Sequence, residues 1–209
     1  MSPLPACMRD RWASRAEPPS GRGSVYWHVL MGENPSVRDA VARVQRKLSG
    51  FSGLHMTPLD NLHITALLVG STDDISRSQM LTMLAAARDS LSEVVPVTAI
   101  LDRVLYHPEA IMLAVRPASG ELSAVLNAAQ FATRAAIGRD GVVNESEVWL
   151  PHLTVSYSMT NQSATPIIAT LGKHIDPCEV VIETLSLVIQ WGAERKWNWE
   201  HVGTVRLRR

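Results

Sequence analysis

From Ser24 onward, short runs rich in β-branched and aromatic residues alternate with amphipathic stretches, an order that leads to a mixed α+β fold. Val25 to Met31 reads as a strand, and Asn34-Pro35 then supplies an N-cap with proline at the first helical position. Val37, Val41, Val44 and Leu48 recur at helical spacing before Gly50 stops the helix. A strand over Leu62 to Gly70 and a helix over Ser76 to Leu91 follow, then strands over Val95 to Leu105 and Ala110 to Arg116, joined around His107-Pro108-Glu109. The second half repeats this order. Ser119 is expected to cap a helix carrying Leu122, Val125, Leu126 and Ala129 that ends near Gly138, followed by a strand over Val148 to Ser158. A short helix opens at Thr165-Pro166 and closes at Gly172, and strands over Val180 to Gln190 and Val202 to Leu207 complete the chain. The pattern predicts two similar α+β lobes sharing one core, one lobe from each half.

Residues 1–23 are rich in Pro, Gly, Ser and Arg, without the apolar segment of a secretory signal, and are expected to be a flexible tail before a bilobal domain over 24–207. The 209 residues balance 20 basic against 20 acidic side chains, which excludes coating of long nucleic acid by charge alone. The ends are basic on an acidic body: residues 1–24 and 195–209 carry +2 and +4, leaving −6 between. No apolar run reaches the roughly 18–20 residues of a membrane span. Cys7 and Cys178 are far apart and form no metal knuckle, so a reducing, cytoplasmic setting fits. We expect a monomer.

The tripeptide His-x-Thr occurs three times, at His55–Thr57, His63–Thr65 and His152–Thr154. On a strand, alternate side chains share a face, so His and Thr emerge together while the residue between them points the other way. Leu62, Ile64, Ala66 and Leu68 share the face opposite His63 and Thr65; Leu153, Val155 and Tyr157 share the face opposite His152 and Thr154. Each strand can bury one face and offer an imidazole with a hydroxyl on the other. His55–Thr57 runs into Pro58 and the Asp60-Asn61 turn, and is read as lacking such a strand.

Two facing imidazoles suit in-line displacement at phosphorus, which needs a base for the attacking oxygen and an acid for the leaving one. With an unperturbed pKa near 6.5, one histidine can be neutral while the other is protonated. The Thr65 and Thr154 hydroxyls can hydrogen-bond the non-bridging oxygens. No metal or cofactor is required, and no spacing such as HExxH supplies further ligands beside His63 and His152.

Asn61-Leu62-His63-Ile64-Thr65, leading to Gly70, and Pro151-His152-Leu153-Thr154-Val155, one motif per half, resemble the 2H phosphoesterases, the group of 2′-5′ RNA ligases and cyclic nucleotide phosphodiesterases. The resemblance implies two pseudo-symmetric lobes of mostly antiparallel sheet with flanking helices around a central cleft. It also implies catalytic His63 and His152, phosphate-binding Thr65 and Thr154, and metal-independent chemistry on 2′,3′-cyclic phosphates or 2′-5′ linkages. A basic residue often follows the second motif in the RNA-ligating members, where this chain has Ser156, Tyr157 and Ser158; an aromatic residue often follows the first, where it has Leu67 and Leu68.

Three further residues are candidates for a substrate pocket. His28 lies in the first strand, where a core or edge position competes with a pocket role, and His55 lies just before the first motif. Tyr157 has core parity, which only a β-bulge would reverse toward a stacked base. Trp191, Trp197 and Trp199 around Arg195-Lys196 read as a hairpin with cross-strand tryptophans rather than a base-stacking platform. The expected substrate is a nucleotide or short RNA end, with hydrolysis, ATP-independent 2′-5′ ligation and an idle nucleotide-binding module as the three functions to separate.

Overall fold

A computed structural model describes residues 4–19, 21–142 and 149–208. The strands are β1 (Cys7–Met8), β2 (Gly23–Leu30), β3 (Leu54–Met56), β4 (His63–Ser71), β5 (Val97–His107), β6 (Ala110–Ala114), β7 (Arg116–Ser119), β8 (His152–Ser158), β9 (Gln162–Ser163), β10 (His174–Ile182), β11 (Thr184–Trp191) and β12 (Trp199–Arg206). The α-helices are α1 (Pro35–Leu48), α2 (Arg77–Leu91), α3 (Leu122–Ile137) and α4 (Thr165–Leu171). Among the described residues no helix is long and apolar enough to cross a membrane.

Local chemistry explains the elements the sequence announces. The Asn34 side chain accepts from the Val37 N–H at the start of α1, with Pro35 already set at a helical φ. Ser76 and Gln79 close a reciprocal capping box on α2. Gly138, at φ 75°, ends α3 in the left-handed conformation that glycine adopts without steric cost. Ser119 does not cap α3: it ends β7, and the N-cap is Glu121, whose side chain makes no capping hydrogen bond. The expected single strand over Val180 to Gln190 is two strands, β10 and β11, which break at Glu183 and enter opposite ends of the sheet. Of the expected strand over Val148 to Ser158, Val148 lies outside the described residues and the strand runs from His152.

The main sheet runs β10-β5-β6-β8-β4-β2-β11-β12, antiparallel throughout, with β3 on β8 and β7 on β5. Helices α2 and α3 pack together and cover the β4-β2-β11-β12 side, while α1 and α4 pack together beside β8 and β10. The lobes are therefore not the two halves of the chain. Each takes strands and a helix from both halves, because α1 crosses over to the second lobe and β11–β12 return to the first. Under the first lobe, Trp27 is fully buried and its Nε1–H donates to Thr133 Oγ1 at 3.1 Å, which satisfies the indole inside the core.

Bulges reset the side-chain alternation at two decisive places. In β4, Trp27 faces Leu67 but His28 faces Thr65, so Ala66 is an extra residue in the ladder. After it, Leu67 and Val69 are buried rather than Leu68, which corrects the simple alternation read from sequence. In β8, Ile111 faces Ser156 but Met112 faces Thr154, leaving Val155 as the extra residue.

The segment read as a flexible tail is packed from Met8 to Trp12. Cys7–Met8 pairs with Gln162–Ser163, the Arg9 N–H donates to Pro108 O at 2.7 Å, and the Arg11 N–H donates to Ser158 O at 2.9 Å. Met8 is fully buried, which supplies the apolar contact that a free tail lacks.

Candidate active site

The lobes meet where β4 and β8 pair at Ile64 and Leu153. Both residues are buried on the core face. One step either side in an antiparallel ladder, His63 lies opposite Thr154 and Thr65 opposite His152, all on the other face. Ladder geometry places diagonal neighbours such as His63 and His152 about 7–8 Å apart at Cα. The structure thus brings the four residues of the second and third His-x-Thr motifs together at the seam.

Both rings are anchored alike. His63 Nδ1 lies 2.7 Å from Asn61 O, and His152 Nδ1 lies 2.8 Å from Leu150 O. A carbonyl only accepts, so Nδ1 carries the proton in each ring and Nε2 is left to exchange one with a ligand. Burial is the main influence on His63 and brings its pKa down to about 4, against the Asn61 hydrogen bond; His152 lowers it further and Glu194 raises it. His152 is also below its ordinary value, chiefly through burial, with the Leu150 hydrogen bond opposing and His107 and Arg11 adding to the depression.

His28 is 3% exposed, lies opposite Thr65, and its ring packs 4.3 Å from that of His63. Burial holds it neutral, with His63 contributing, and its Nδ1 has no partner among the described residues. It sits on the same face of the sheet as His63 and Thr65, with Tyr26 stacked at 5.0 Å and Trp199 at 5.3 Å.

His55 does belong to a strand, contrary to the sequence reading: β3 pairs with β8, with His55 opposite Tyr157. Three residues were too short a run to stand out before Pro58. Thr57 is 1% exposed, and its hydroxyl faces no partner among the described residues. The bulge at Val155 turns Tyr157 out of core parity. Its ring lies 5.7 Å from Trp12 and 6.0 Å from Trp197, with Arg11 Cζ 4.4 Å from its centroid. Burial, then Glu194, pushes its pKa up to about 12, so the phenol stays protonated.

The sequence reading missed Arg11, Trp12 and Glu194. Arg11 forms a fork with Glu194, Nε to Oε2 and Nη2 to Oε1 both at 2.8 Å, and its Nη1 reaches Glu109 Oε2 at 3.3 Å. Burial is the largest influence and works to raise Glu194, but the hydrogen bonds and charge of Arg11, with Arg15 and Trp12 adding, together outweigh it and keep the carboxylate ionised. Trp197 and Trp199 do flank a β11–β12 hairpin, and they also lie 6.5 Å and 4.8 Å from His63. Among the described residues, no group of three or more His, Cys, Asp or Glu is placed to hold a metal ion.

Comparison with known proteins bears on this arrangement. The family model described as the 2′-5′ RNA ligase superfamily matches residues 34–194. No curated protein matches the sequence significantly. Among solved structures, TT0787 of Thermus thermophilus shares 15% identity at a TM-score of 0.66, covering 88% of this chain and 98% of that one. Apo LigT of E. coli shares 14% identity at a TM-score of 0.62, covering 91% and 100%. LigT complexed with 3′-AMP shares 14% identity at a TM-score of 0.59, again covering 91% and 100%. At these identities the structures establish a common fold. The family match spans most of the chain and includes both seam motifs: the protein belongs to the 2′-5′ RNA ligase superfamily, the 2H phosphoesterases that its paired His-x-Thr segments resemble.

Proposed function

We propose that the protein is a phosphoesterase that opens a 2′,3′-cyclic phosphate, or cleaves a related phosphodiester, on a nucleotide or RNA end, with His63 and His152 as its acid–base pair. The observation that carries this reading is the matched anchoring of the two imidazoles, each fixed through Nδ1 to a carbonyl two residues upstream with Nε2 left for the ligand. In the reaction, a water attacks phosphorus while the neutral imidazole takes its proton. The opposite imidazolium gives its proton to the departing ribose oxygen, so the P–O bond breaks without releasing an alkoxide. The two rings finish with their protonation states exchanged. Thr65 and Thr154, one beside each histidine, donate to the non-bridging oxygens as charge builds there.

Both rings favour the neutral form in the free protein. The phosphodiester anion itself then supplies the field that draws a proton onto one of them. E. coli LigT has been crystallised with ATP, 3′-AMP, NADP+ and phosphate, which supports a nucleotide phosphate as the ligand class here.

The test is turnover of adenosine 2′,3′-cyclic phosphate and of RNA ends bearing that group. His63→Ala and His152→Ala are each expected to lower kcat about 10²–10⁴-fold with the circular dichroism unchanged. A chelator should leave the rate as it was; loss of activity in EDTA contradicts the scheme. Joined product from RNA halves with a 2′,3′-cyclic phosphate and a 5′-hydroxyl would assign ligation, and opened phosphate alone assigns hydrolysis.

A further inference from the structure

Residues 7–17 precede the family-matched region, which begins at residue 34, yet they reach the site. Arg11 ties two separate parts of the fold. Glu109 stands at the β5–β6 turn of one lobe, Glu194 stands after β11 of the other, and the same guanidinium binds both. Arg15 adds a second contact to Glu109 at 2.6 Å, and Arg195 binds Glu17 further along. With its nitrogens committed to carboxylates and its face on Tyr157, Arg11 acts through those neighbours rather than on a phosphate.

What this segment holds in place is aromatic. Trp12 stands edge-on to His55 at 5.4 Å and packs against Tyr157. Trp197 donates its Nε1–H to His55 Nε2 at 3.1 Å, with the two ring planes only 4° apart. An indole N–H lies in the ring plane, so the rings meet edge to edge as one flat plate rather than as a face-to-face stack. Trp12, His55 and Trp197 are each half-buried, and Trp197 lies 6.5 Å from His63.

We propose that residues 7–17 form a clasp across the two lobes that completes the active site, with Arg11 as a positioning residue and Trp12 as part of an aromatic wall selecting phosphodiesters that carry a nucleobase-sized planar ring. The proposal rests on the phosphoesterase reading and adds its substrate preference. Stacking on aromatic side chains is sequence-tolerant, because every base has a π-face, so the wall favours nucleosides as a class.

The experiment compares kcat and KM for adenosine 2′,3′-cyclic phosphate and for glycerol 1,2-cyclic phosphate, which has no ring to stack. It uses full-length wild type, Trp12→Ala, Trp12→Leu, Arg11→Gln, Arg11→Glu and the Arg11→Glu/Glu194→Arg swap. The Trp12 variants and Arg11→Gln are expected to lower the adenosine-to-glycerol ratio of kcat/KM by about five- to a hundredfold, mainly through KM. The swap should recover part of the ratio lost by Arg11→Glu alone. Folded Trp12→Leu protein with the wild-type ratio overturns the proposal even where Trp12→Ala is unstable. If wild type turns over neither compound, the phosphoesterase reading fails, and the clasp is judged on 3′-AMP affinity by tryptophan fluorescence. A fivefold loss in Trp12→Leu then supports the clasp; equal affinity, or no binding by wild type, overturns it.

Discussion

Replacing His63 by glutamine should flatten the protein's loss of stability in acid. The folded protein holds His63 near 4, mainly by burial, whereas an unfolded chain titrates near the ordinary 6.5. Between those values the unfolded state binds more protons than the folded state, so stability falls as pH drops through that window and is fully present above it. The full gap corresponds to roughly 3 kcal/mol, which partial exposure of the ring reduces to about 2 kcal/mol. Wild type also loses stability through His28 and His152, both depressed chiefly by their own burial, and that burial remains in the variant. Urea unfolding at about pH 7 and about pH 4.5 isolates the contribution, because the difference of differences cancels what the two proteins share. The variant should lose about 2 kcal/mol less than wild type between the two conditions. Equal losses would refute the claim that the fold desolvates this imidazole.

The same depressed values place the maximum of kcat/KM below pH 6.5, since that profile reports the free protein's acid and base; a plateau extending above neutrality would contradict it. Thr65→Val and Thr154→Val should each lower kcat/KM about 10²-fold with little change in melting temperature, measured by steady-state kinetics beside thermal unfolding. Gly32→Ala should impair the reaction from outside the site. A Cβ there overlaps the carbonyl of Asp60, in the turn that presents Asn61 O to His63, and the kinetic loss should exceed that of Asn34→Ala, which removes only a helix cap.

Legibility followed the range of the interaction. Asn34, Ser76 and Gly138 act within a few residues, and the helices they bound were readable directly. The seam motifs were readable because strand alternation is local, and Ile64 and Leu153 did take the buried face. Bulges at Ala66 and Val155 arise from partner strands, so the alternation failed at Leu68 and Tyr157. Strand β3 exists through its pairing with β8, about a hundred residues later in the chain, and nothing in Leu54–Met56 announces that. The break at Glu183 and the exchange of helices between lobes are likewise topological. Most hidden was the N-terminal clasp: a Pro- and Arg-rich stretch looks solvated until Glu109 and Glu194 are placed on either side of it.

A titration of the histidine imidazoles by nuclear magnetic resonance, with and without 3′-AMP, reaches the core of the account. Two rings that share one phosphate should rise together in pKa when the nucleotide binds, His63 and His152 both moving. Movement of only one of the pair, or of neither with the nucleotide demonstrably bound elsewhere, would contradict a common anion between them.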